Sequence, residues 1–143
     1  MALRNIVTVG DPVLTKKCRP VVRFDDRLAE LIEDMKETMQ HANGVGLAAP
    51  QVGVLRRIVV VDAGDEIVEL VNPEIVSKSE EEQTGVEGCL SLPGEYGIVT
   101  RPMYVTVRAQ DRHGDWYEYD GEELVARCFC HEIDHLDGHM YTE

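Results

Sequence analysis

No hydrophobic run in this 143-residue sequence approaches the ~20 apolar residues of a membrane span, so no membrane partner is expected. Basic residues are scarce: 14 Lys and Arg face 27 Asp and Glu, for a formal charge of -13. A surface of that sign repels phosphate backbones, and direct nucleic-acid binding is not expected. The C-x-x-C pair of a zinc ribbon or thioredoxin-like site is missing, although Cys18, Cys89, Cys128 and Cys130 are present. The opening stretch Met1 to Val7 has neither the apolar core of a signal peptide nor the Arg/Ser-rich character of a transit segment, which predicts a cytoplasmic protein. In that compartment free thiols or metal ligands are expected rather than disulfides. Internal repeats, low-complexity tracts and linkers are also missing. What remains is 43% hydrophobic and 29% charged, the make-up of one globular domain spanning residues 1–143.

The apolar spacing predicts the elements. Asp11-Pro12-Val13-Leu14 reads as a short helical turn with proline at a tolerated first position. Leu28, Leu31, Ile32, Met35 and Met39 recur at helical spacing, which predicts an amphipathic helix over 26–41. Asp25 or Asp26 can cap it and Asn43-Gly44 can end it. Gly44 to Gly53 reads as a small-residue loop. Strands are predicted over 57–62, 67–72, 74–78, 98–100, 104–110 and 116–119, with Arg112-His113-Gly114-Asp115 as a hairpin turn. A last helix runs from about Glu122 to Leu136, with Leu124, Val125, Phe129 and Ile133 as apolar positions and Gly138 as its stop. Strands in the middle and helices at both ends predict an α+β fold.

The chemistry concentrates in His131-Glu132-Ile133-Asp134-His135. On a helix, positions i and i+4 share one face, so both imidazoles can grip one metal ion. Glu132 then stands where a carboxylate can handle the proton of a bound water. A third ligand must come from Cys89, Cys128, Cys130, His139 or an acidic residue. His139 continues the spacing of four, but along a straight helix it would lie ~12 Å from His131 and could not close around the same ion. Cys130 points about 100° away from His131 and suits core packing. Cys128 lies one turn earlier, nearer the ligand face. Cys89 sits in Glu87-Gly88-Cys89-Leu90-Ser91-Leu92-Pro93-Gly94, a constrained segment able to present both a thiolate and the next backbone N–H. The Gly44 to Gly53 stretch lacks the Lys-Ser/Thr ending of a phosphate loop, and a helix precedes it instead of a strand. It suits close backbone approach, with Gln51 projecting an amide donor.

Gly44-Val45-Gly46-Leu47-Ala48-Ala49-Pro50-Gln51, Glu87-Gly88-Cys89-Leu90-Ser91 and His131-Glu132-Ile133-Asp134-His135 together resemble the peptide deformylase family. Its three motifs are G-φ-G-φ-A-A-x-Q, E-G-C-φ-S and H-E-φ-D-H, in this order, with φ apolar. The resemblance runs from about Val7 to Tyr141. It implies antiparallel or mixed sheets packed around the C-terminal H-E-x-x-H helix, with one long amphipathic helix near the N-terminus. It implies one divalent metal held by Cys89, His131 and His135, with water in the fourth position: Fe(II) in many members, with zinc, nickel or cobalt as substitutes. The implied activity is removal of the N-formyl group from the initiator methionine of nascent polypeptides. Metal-activated hydroxide would attack the formyl carbon, Glu132 would act as general base and then general acid, and Gln51 with the Leu90 backbone N–H would bind the oxyanion. Val45, Gly46, Glu87, Gly88, Leu124 and Cys128 fall at the substrate-binding positions, and Glu87 can pair with Arg101.

The sequence departs from the family pattern in two places. Cys130 replaces the glutamine that many members carry before the first motif histidine, which adds an oxidisable thiol near the site. Many members also continue beyond the position of Glu143 into a segment that in some contacts the ribosome, so ribosome docking gains no support from the resemblance. Two rivals share the helix. One is a metallopeptidase with His139 or an acid as third ligand. The other is a metal-stabilised binding module in which Cys128 or Cys130 closes the coordination shell, leaving Gln51 and Glu132 without a role.

Overall fold

The computed structural model describes residues 3–139; Tyr141, where the family resemblance ends, lies outside the described residues. A 3-10 turn at Pro12–Thr15 follows the N-terminal segment. Helix α1 spans Asp26–His41. Strands β1 (Gly46–Ala48), β2 (Ile58–Asp62), β3 (Ile67–Lys78), β4 (Glu82–Cys89), β5 (Leu92–Pro102), β6 (Tyr104–Gln110) and β7 (Trp116–Glu122) come next, and helix α2, Leu124–Leu136, follows them. One sheet has the order β1-β2-β3-β6-β7; β4 and β5 form a separate hairpin. Every ladder is antiparallel, within the expected α+β class.

Strand β2 explains the layering. Side chains alternate faces along a strand. Val59 and Val61 pack with Phe129, Ile133 and Leu136 of α2. Ile58 and Val60 pack with Ile32, Met35 and Met39 of α1. The sheet therefore carries one helix on each face, and a continuous apolar run is what a doubly covered strand requires.

The helix ends follow local chemistry. The Asp25 carboxylate accepts the Leu28 N–H at 3.1 Å and caps α1. At the other end Asn43 takes a φ of 57°, and the N–H groups of Asn43 and Gly44 return to the carbonyls of Gln40 and Met39, a Schellman closure. Gly138 closes α2 in the same way at φ 80°. A Cβ there would lie 2.6 Å from the Thr15 carbonyl oxygen.

Several expected boundaries move. The runs over 67–72 and 74–78 are one strand, interrupted by a bulge at which Asn72 takes a φ of 51°. Pro73 removes a ladder donor there, and the Asn72 amide instead bonds Val21 and Gln110. Part of the expected small-residue loop, Gly46–Ala48, is strand β1. The expected strand over 98–100 is the inner part of the longer β5, and its partner β4 was not foreseen. Helix α2 starts at Leu124, after Glu123 makes a sharp corner at φ 53°.

An ionic clamp ties α1 to the sheet. Glu69 on β3 bonds Lys36 at 3.1 Å and Arg112 at 2.7 Å, and Arg112 also holds Glu33. Burial alone would raise the Glu69 carboxyl, but the hydrogen bonds from Arg112 and Lys36 prevail and hold it at about 2. A depressed carboxylate stabilises the fold above its unfolded value and loses that contribution as pH falls toward the folded value. Glu69→Gln is therefore expected to cost on the order of 1–2 kcal/mol at neutral pH, after allowance for screening. Urea melts of both proteins should show that gap shrinking between about pH 4.5 and 2.

Candidate metal centre and its cleft

Helix α2 presents His131 and His135 one turn apart, their rings 5.0 Å from centroid to centroid. Cys89 reaches them from the end of β4, where the β4–β5 register shifts between Gly88 and Cys89. Such a bulge re-aims a side chain. The Cys89 Sγ lies 3.3 Å from His135 Nε2, and one donor atom from each of the three residues falls within 4.8 Å of the others. With ligand bonds of ~2.3 Å to sulfur and ~2.1 Å to nitrogen, a tetrahedral ion sets its donors about 3.5 Å apart. The donor set therefore fits a metal. Among the described residues it is the one such cluster of three or more, and His139, Cys128 and Cys130 are not in it.

The carboxylate of Glu87 orients the first histidine. His131 Nδ1 meets Glu87 Oε1 at 3.0 Å, which turns Nε2 toward the cluster. Arg101 grips Glu87 through two bonds of 3.1 Å, the expected ion pair, and Arg127 adds a third at 2.6 Å. Arg101 also holds Asp134 at 2.8 Å. Burial pushes Glu87 up, but the bonds from His131 and Arg101 outweigh it and hold the carboxyl at about 2. Burial, with the charges of His131 and Arg101, pushes His135 down to about 3, keeping that imidazole neutral and ready to ligate. Burial opposes protonation of His131, yet the charge of Glu132 and the bonds to Cys89 and Glu87 carry it up to about 10. A cation held by the three donors would compete with that proton.

Glu132 is buried, and its Oε1 has no hydrogen-bond partner among the described residues. Burial pushes its carboxyl up to about 7, with the nearby His131 offsetting part of the rise. Its other oxygen faces Gly46, where a Cβ would come within 2.7 Å. Only glycine lets β1 pass this close. Gln51 sits in a 3-10 turn, Ala49–Val52. Its Oε1 accepts the Ala48 N–H at 2.9 Å, so Nε2 faces Ser91 Oγ at 3.2 Å and Cys89 Sγ at 3.5 Å. An amide donor thus stands beside the Cys89, His131 and His135 cluster.

Two cavities open onto these groups. A cleft of about 410 Å³ is lined by Val45, Gly46, Gly88, Cys89, Leu90, Tyr96 and Glu132, among others. Beside it lies a slot of about 150 Å³, bounded by Val45, Val86, Glu87, Gly88, Leu124, Arg127, Cys128, His131 and Glu132. Each of the substrate-binding positions expected from sequence borders one or both. Cys130 packs in the core under α2. Burial raises its thiol above the ordinary value. Sequence reasoning gave no role to Arg127 and Ser91. Arg127 carried a signal: it stands four residues before His131, on the ligand face of the helix.

A helix-borne His pair, a thiol from a bulged strand, a buried acid and an oriented amide define a metal-dependent amide hydrolase. Such sites leave one coordination position for water or substrate. The chain belongs to the polypeptide deformylase family, whose model matches residues 3–143. The peptide deformylase of Agathobacter rectalis is 59% identical over 143 residues, covering all of this chain and 90% of that protein. That of Alkaliphilus metalliredigens is 54% identical, covering all of this chain and 97% of its own length. The crystal structure of peptide deformylase from Thermotoga maritima superposes with a TM-score of 0.94 at 43% identity, over 96% of this chain and 94% of that one. The family is metal-dependent, and no helix among the described residues is long and apolar enough to cross a membrane.

Proposed function

We propose that this chain removes the N-formyl group from the formyl-methionyl end of newly made polypeptides in the cytoplasm, residues 1–143 acting as one catalytic domain. The observation that carries the reading is the convergence of Cys89, His131 and His135 beside Glu132 and Gln51 in one cleft. A divalent ion held by those three donors supplies positive charge that acidifies water and polarises a carbonyl. Iron(II) is the proposed ion, with zinc, nickel or cobalt suited to the same donors.

Glu132 takes a proton from the attacking water and delivers it to the departing amine. A carboxyl near 7 suits both halves of that transfer at neutral pH. A C–O bond forms at the formyl carbon, the C–N bond breaks, and formate and a free methionine amine leave. Negative charge grows on the formyl oxygen in between. Gln51 Nε2 and the Leu90 backbone N–H donate to it, each worth about 3 kcal/mol of barrier by analogy with other oxyanion holes.

The peptide enters between two sheet edges. Strand β1 ends one sheet, and β4 belongs to a two-stranded hairpin. Val45, Gly46 and Gly88 line the gap, so an extended substrate adds as a strand. Its methionine side chain fills the slot between Leu124, Cys128, Glu87 and His131. The test is formate release from formyl-Met-Ala-Ser by protein loaded anaerobically with Fe, Zn or Ni in turn. Turnover is expected with at least one metal and fastest with Fe(II). Inactivity with all three overturns the proposal.

A further inference from the structure

Gln51 and Leu90 come from separate parts of the fold. Gln51 stands in the 3-10 turn after β1, at the edge of the five-stranded sheet. Leu90 stands in the short turn between β4 and β5, at the end of the separate hairpin. No ladder joins the two sheets among the described residues. The side-chain bonds between these two turns and their flanks, to Cys89 Sγ and Ser91 Oγ, both start at Gln51 Nε2. A group that has to turn a hydrogen toward the formyl oxygen is a poor anchor for the segment that carries it.

The N-terminal segment bridges the two turns by backbone alone. The Val7 N–H donates to the Gln51 carbonyl and the Val9 N–H to the Ser91 carbonyl, each at 2.8 Å. Ile6, next to them, borders the cleft. The root of the segment is tied to α1: the Arg4 N–H donates to Thr38 Oγ1 at 2.9 Å, and its guanidinium meets the Asp34 carboxylate at 2.9 Å. Both partners are buried. Neither Val7 nor Val9 belongs to an apolar core cluster, and Val9 is 50% exposed. What these two residues hold, they hold through their N–H groups.

We infer that Val7 and Val9 are positioning residues for deformylation: their backbone N–H groups clasp the Gln51 turn to the Leu90–Ser91 turn and set the spacing at which both donors meet the formyl oxygen. This rests on the assignment of Gln51 Nε2 and the Leu90 N–H to that oxygen. A misplacement of about 1 Å can cost a hundredfold in rate, so the clasp acts on the chemical step and not on peptide binding.

The test replaces each valine by proline, which has no N–H to donate. Metal-loaded Val7→Pro and Val9→Pro are expected to lower kcat and kcat/KM for formyl-Met-Ala-Ser alike, by about tenfold or more, a part of the 10²–10³-fold that one oxyanion donor supplies. KM and metal per chain should stay at the parent level. A double-mutant cycle separates positioning from general destabilisation: in a Gln51→Ala background Val7→Pro is expected to change kcat by less than about threefold, because the donor it positions is gone. A rise in KM without a fall in kcat, loss of metal, or an undiminished loss in the Gln51→Ala background overturns the inference. Gln51→Ala with parental kcat would overturn the oxyanion assignment itself, whereas a slow Gln51→Ala beside an unaffected Val7→Pro overturns the clasp alone. A thermal melt of each preparation reports its folded fraction; if Val7→Pro does not fold, Val9→Pro, at an exposed position, decides by the same kcat and KM comparison.

Discussion

Glu132→Gln is expected to lower kcat/KM for formyl-Met-Ala-Ser by about 10²–10⁴-fold, the range for loss of a positioned proton carrier, while metal content stays at the parent level. Glutamine keeps the shape of the side chain beside Gly46, where there is no room to spare, but it can neither accept the proton of water nor return one to the amine. The three donor atoms belong to Cys89, His131 and His135, so the substitution removes no ligand. Stability is expected to hold or rise. The parent buries a carboxyl whose Oε1 has no partner among the described residues, and such groups are kept for function at a cost to the fold. Metal analysis, a thermal melt and the formate assay on one preparation separate these outcomes. Undiminished turnover removes Glu132 from the chemistry; lost metal makes it a structural support of the ligands.

Legibility in the sequence followed the side chains that face inward. Helix α1 was readable to its ends because Leu28, Ile32, Met35 and Met39 are both apolar and buried, and because Asp25 and Asn43 carry capping chemistry in their residue types. Strand β4 was unreadable because its more buried alternate positions are Gln83, Gly85 and Glu87, while Val86 is 66% exposed. That pattern inverts the usual alternation. The reason is electrostatic: Glu87 points inward to meet Arg101, Arg127 and His131, and Gly85 leaves space for the guanidinium. The apparent break in β3 was a real local event, the Asn72-Pro73 bulge, read as the end of a strand. The third ligand is a similar case. Helical spacing narrowed it to several residues, because nothing local to α2 says which distant segment folds against it. The three ordered motifs pointed to Cys89, and the β4 bulge supplies the physical reason that its thiol reaches the histidines. The arginines around Glu87 were legible only in part, since long-range charge pairing leaves no periodic trace.

Cys89→Ala is expected to weaken metal binding by more than about 100-fold, because loss of partners that merely orient ligands already costs 10–100-fold. The substitution removes the only sulfur donor of the three, leaving two imidazoles on one face of α2. Metal per chain after dialysis against a chelator reads the effect directly, and formate release should fall with it. The metal-free fold should survive. Gln51 Nε2 keeps Ser91 Oγ at 3.2 Å, and His131 keeps Glu87 at 3.0 Å; neither bond passes through the thiol. Cys128→Ala and Cys130→Ala serve as controls. Neither thiol belongs to the donor cluster of Cys89, His131 and His135, so both variants should keep full metal content. A Cys89→Ala protein that binds metal as well as its parent would overturn the ligand set and bring His139 back as the third donor. Loss of metal in Cys89→Ala with retention in both controls would assign the metal to Cys89, His131 and His135, beside Glu132 and Gln51 in the cleft.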